Sequence, residues 1–140
     1  MTSTSPATWE LAQRLIALEA RHDARQVATG KEAAQVCEKL RVTLAKFAGV
    51  AGYRSLISRA LALAKAEVAS LEPLQVQPDG SIRGFDEIEP NDAEAGAVVV
   101  AHLLDLLVTF IGKSLTISLV SDAWPDASLD EKDLRAEEQS

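Results

Sequence analysis

Apolar residues recur along this chain mostly at helical spacing, and the pattern divides it into five predicted helices. Ser5-Pro6 reads as an N-cap followed by proline at the first helical position. Trp9, Ala12, Leu15, Ile16 and Leu18 follow, which predicts a helix over 6–26. Thr29 and Glu32 form a capping box. After it, Ala33, Val36, Cys37, Leu40, Leu44 and Phe47 share one face of a second helix. Gly49 and Gly52 bracket a short break, with Gly49 suited to a left-handed cap. Leu56, Ile57, Ala60, Leu61, Ala64 and Val68 make the stripe of a third helix starting near Tyr53 and stopped by Pro73. So short a break favours the second and third helices as antiparallel neighbours.

Residues 74–85, LQVQPDGSIRGF, change character. Proline presets one turn angle and glycine accepts a positive one, so Pro78-Asp79-Gly80 predicts a turn between arms at 74–77 and 81–85. Two strands alone are marginal in water, so this hairpin must lean on helices. Asp86–Pro90 reads as an acidic loop. Asn91 with Glu94 repeats the capping logic and opens a fourth helix reaching about Ile111, where Gly112 ends it. Ser114 can cap a fifth helix, 115–124, closed by Pro125. The expected fold is all-α: about five helices in a bundle, with a small β-hairpin between the third and fourth. One domain is expected over 6–125. Residues 1–5 and the acidic tail 126–140 are expected to be disordered.

The densest apolar run lies at 95–124, AGAVVVAHLLDLLVTFIGKSLTISLVSDAW. Its helix is nearly long enough to span a bilayer, which needs about 17–25 residues. His102, Asp105 and Lys113 interrupt it, and an aspartate in lipid costs at least about 2.5 kcal/mol. The expectation is a buried core helix with no membrane span. His102, Asp105 and Thr109 fall at i, i+3 and i+7, a narrow polar stripe where the core meets water, a pocket or another chain.

Composition adds an ordinary soluble balance, 47% hydrophobic and 25% charged, with aromatics scarce at 4%. The net charge of −7 is unevenly spread. Residues 31–65 carry seven basic and two acidic side chains, +5, and residues 66–140 four basic and sixteen acidic, −12. An acidic chain is a poor partner for nucleic acid and anionic membranes. The basic set Lys39, Arg41, Lys46, Arg54, Arg59 and Lys65 reads first as solvated helix faces, next as a surface for a protein partner or a second copy, and least as a nucleic-acid contact. The single cysteine, Cys37, sits on an apolar face and reads as a buried hydrophobe, which fits a reducing cytoplasm. MTSTSPATWE shows no basic segment followed by an apolar one, so no secretory signal is expected.

Candidate chemistry is thin. His102 with Asp105 one turn away resembles an oriented general base, yet no nucleophile is placed beside the pair. Gly112-Lys113-Ser114 imitates the end of a phosphate loop. The glycine five residues earlier is missing, because Leu107 stands there, and the triplet follows a helix rather than a strand. Two histidines and one cysteine match no zinc or calcium pattern, so no metal or cofactor is expected.

Two stretches, LRVTLAKFAGVAGYRSLISRALALA at 40–64 and LLVTFIGKSLTISLVSDAWPD at 106–126, resemble a group of small uncharacterised bacterial all-helical proteins. The resemblance covers roughly 36–126. It implies a free-standing bacterial domain and carries over no activity and no functional residue. The reading that follows is a non-enzymatic helical adaptor or interaction protein that self-associates as a homo-oligomer. The alternative is a small-molecule-binding or enzymatic domain, its pocket lined by His102, Asp105 and an arginine, Arg54 or Arg59, of the third helix.

Overall fold

A computed structural model describes residues 6–22, 32–84 and 93–125. Among them are four helices, α1 (Pro6–His22), α2 (Glu32–Glu67), α3 (Ala93–Ile111) and α4 (Lys113–Ala123). A short 3-10 turn, Ala69–Leu71, and a two-stranded hairpin, β1 (Gln75–Val76) and β2 (Ile82–Arg83), lie between α2 and α3. The two termini, the capping residues Thr29 and Asn91 and the acidic stretch 86–90 lie outside the described residues.

The helix count differs from expectation at Gly49. No loop separates the second and third expected helices. Gly49 alone leaves helical angles (φ 81°, ψ 164°), and helix resumes at the next residue. The Tyr53 hydroxyl nevertheless donates to the Cys37 carbonyl at 3.1 Å. A straight helix would separate those residues by about 24 Å along its axis. The chain therefore folds back at Gly49, and α2 is two arms joined by one residue. Gly112 repeats the device between α3 and α4 (φ 90°, ψ 165°). The expected Ser114 cap is not used there. Gly112 is itself the N-cap with no side-chain bond, and Thr116 Oγ1 donates back to its carbonyl at 2.7 Å. Pro73 does not stop α2, which ends at Glu67 before the 3-10 turn.

The hairpin forms where the turn residues placed it, with shorter strands. Gln75 pairs with Arg83 and Val76 with Ile82, antiparallel. The Gly80 amide donates to the Gln77 carbonyl at 2.9 Å, and the Gln77 amide to the Ser81 carbonyl at 2.8 Å, closing a three-residue loop. Asp79 accepts from the Ser81 amide and hydroxyl, which fixes the loop and holds its carboxyl below the usual range. Arg54 in turn donates to the Pro78 carbonyl at 3.2 Å and ties the loop to α2.

Helix α3 is the centre of the fold. Every residue from Ala95 to Leu104 is buried. A helix apolar on all sides must be covered on all sides, and α1, α2 and α4 all pack on it. Gly96 lets α2 approach closely, since a Cβ there would lie 2.6 Å from that of Ala33. Leu103, Leu104 and Leu107 meet Leu11, Leu15, Leu40, Leu44 and Ile57 in one core. Among the described residues no helix is long and apolar enough to cross a membrane.

Two stability outcomes follow from this geometry. Leu104→Ala should cost about 2–5 kcal/mol in urea denaturation, because the cavity it leaves is walled by helices that cannot close in. Gly49→Ala should cost about 1–3 kcal/mol from backbone strain alone, since nothing lies within 4 Å of an added Cβ. An unchanged midpoint for Gly49→Ala would show that the corner is not held at these angles.

Candidate functional site

The polar stripe of α3 is not a line facing water; it is graded from core to surface. His102 is buried, with Nε2 3.2 Å from Glu67 Oε2 at the end of α2. Asp105 is half-buried, and its Oδ1 accepts from Thr8 of α1 at 2.8 Å. Thr109 is exposed and donates to the Asp105 carbonyl at 3.0 Å. The stripe thus fastens α3 to α2 and to α1. His102 and Asp105 are each engaged by a different helix.

The two candidate arginines lie on the second arm of α2. Arg54 and Arg59 are exposed. Arg54 stands thirteen residues before Glu67 in the same helical arm, about 20 Å along the axis, and it is committed to the hairpin loop. Arg59 is eight residues before Glu67, about 12 Å away by the same rise. Among the described residues neither arginine hydrogen-bonds to His102 or Asp105, whose partners are Glu67 and Thr8.

A cavity of about 510 Å³ does exist, between the first arm of α2 and the hairpin. That volume suits a small molecule. Cys37, Glu38, Arg41, Tyr53 and Arg83 line it. Its chemistry is muted. Arg41 is held by a two-pronged hydrogen bond to Glu38. Burial pushes the Cys37 thiol up to about 12, so it stays protonated and unreactive at neutral pH. Burial likewise drives the Tyr53 phenol well above its ordinary value. The cavity offers walls and one exposed cation, Arg83, rather than a nucleophile.

The remaining basic residues divide. Lys65 is half-buried beside β1. Lys39 belongs to a knot absent from the sequence reading. The Glu19 carboxylate is only 5% exposed, and its Oε2 accepts from Lys39 Nζ at 2.5 Å and from the Trp124 indole N–H at 2.8 Å. The same Lys39 ammonium stands 5.5 Å from the Trp124 ring centroid. A buried carboxylate must be paired or it destabilises the fold, so this knot locks α1, α2 and the end of α4 together. One signal was available: Glu19 falls four residues after Leu15 and seven after Ala12, on the apolar stripe of its own helix.

Lys46 is exposed and unpaired among the described residues. It borders a groove of about 440 Å³ with Thr43 and Phe47 of α2 and Leu119 and Asp122 of α4. Lys39 meets the Trp124 ring, and Lys46 and Phe47, later in α2, border the groove with Leu119, earlier in α4, an order that fits antiparallel helices. Most of the exposed large apolar side chains flank the two glycine corners in sequence: Phe47 (51%) and Val50 beside Gly49, Phe110 (67%) and Leu115 beside Gly112. Scattered exposed apolar residues are normal, whereas a cluster of them marks a contact surface.

Two measurements check the buried polar groups. Trp124→Phe removes one donor from Glu19 and should lower stability by about 1–3 kcal/mol, read as a shifted urea midpoint. The second concerns alkaline pH. The folded Cys37 pKa lies above the unfolded value of 9.0, so the folded state holds the proton more tightly. Its contribution is full below pH 9 and is lost as pH rises toward about 12; Tyr53 acts in the same direction. The melting temperature should fall across that window, and less steeply in Cys37→Ala. An identical slope in the variant would remove Cys37 from the account.

Comparison with known proteins gives no matching family model, no matching curated protein and no matching solved structure.

Proposed function

We propose that this chain is a non-enzymatic helical interaction protein that self-associates. The observation that carries the reading is that Phe47, Val50, Phe110 and Leu115 are exposed large apolar side chains, each within three residues of the Gly49 or Gly112 corner. Large apolar side chains left in water are stabilised by contact with another protein surface. The groups with the strongest chemical potential support it from the other side. His102, Asp105 and Glu19 are engaged in holding helices together, and Cys37 is held neutral. A net charge of −7 disfavours nucleic acid as the partner. A buried, free Cys37 fits a reducing bacterial cytoplasm as the compartment.

The reading is tested by light scattering of the pure full-length chain over a hundredfold concentration range. The mass should rise above that of one chain, 15.0 kDa. The double variant Phe47→Asp/Phe110→Asp should stay monomeric while keeping its helical circular dichroism. A wild-type protein that remains monomeric throughout would overturn self-association.

A further inference from the structure

We infer that the partner at this surface is a second copy of the same chain, docked about a two-fold axis over the α2–α4 groove. The inference rests on the self-association reading and specifies its geometry. In a two-fold interface one patch meets itself, so a residue i that touches j of the other copy is matched by j touching i. Such a patch must be self-complementary. The groove meets that requirement. Its α2 wall carries a cation, Lys46, with Phe47 next to it in sequence, and its α4 wall carries an anion, Asp122, one turn after Leu119.

Neither Lys46 nor Asp122 takes part in an ion pair among the described residues. The other lysine on this face of α2, Lys39, is committed to Glu19 inside its own chain. Lys46 and Asp122 are thus the pair left over at the seam. Rotating a copy by 180° about an axis through the groove brings Lys46 of each chain opposite Asp122 of the other. The same crossing sets Phe47 of each chain, on the wall that carries Lys46, against Leu119 of the other.

The test is a charge swap read by sedimentation or light scattering at low and high salt. Lys46→Glu and Asp122→Lys are both at exposed positions, and each should keep the wild-type melting temperature. Each single variant places two like-charge pairs across the axis and should weaken dimerisation about tenfold or more. The double variant Lys46→Glu/Asp122→Lys should restore it. Mixing the two single variants in equal amounts is the sharper experiment. Their heterodimer has both pairs opposite in sign, so it should form while each variant alone stays monomeric. Rescue within one chain cannot produce that result. If the wild type associates and the single variants associate equally well, this geometry is wrong and self-association stands by another face. If the mixed singles stay monomeric, the two-fold crossing is wrong. A wild-type monomer at all concentrations removes both readings.

Discussion

The structure depends on one constraint, the covering of α3. Ten consecutive residues of that helix are shut off from water. A helix in that position cannot be served by one neighbour, because its side chains point in every direction around the axis. Three other helices have to reach it, and the remaining architecture follows from how a short chain manages this. Helix α1 crosses it and bonds Thr8 to Asp105; α2 supplies two arms; α4 returns along α2. The polar residues of α3 are then satisfied by the helices that cover it. His102, buried on α3, takes Glu67 at the end of α2 as its partner.

Economy of chain shapes the surface as well. Two of the reversals that wrap α3 are made by single glycines in nearly the same conformation, Gly49 and Gly112. A loop of several residues could fold over the ends of the helices it joins. A corner of one residue has nothing to fold, so the side chains of the last and first turns stand uncovered. Phe47 and Val50 flank one corner, Phe110 and Leu115 the other. The apolar surface and the tight corners are therefore one feature with one cause.

Much of this was legible in the sequence, and the parts that were not share a reason. The central helix could be read because its apolar run has no polar face wide enough for water. The hairpin could be read because Pro78-Asp79-Gly80 has a local mechanism. Gly49 reads as a break, but spacing alone does not tell a one-residue corner from a short loop, so the pattern predicts two separate helices in place of the two arms of α2. The stripe His102–Asp105–Thr109 is legible as a line on α3, and its partners are not. A helical wheel gives directions, and what occupies them came from Glu67, 35 residues away, and Thr8, 97 residues away. The Glu19 knot lies furthest from reach, since its members are separated by 20 and 105 residues.

That knot gives the molecule an optical property. Trp124 is buried with its indole N–H on a carboxylate and an ammonium beside its ring. The other tryptophan in the chain, Trp9, lies partly buried on α1. Both chromophores thus depend on α1 being in place, one from its first turns and one through Glu19. The intrinsic fluorescence of this protein therefore responds to the seating of α1 against the rest of the bundle, and it needs no added label.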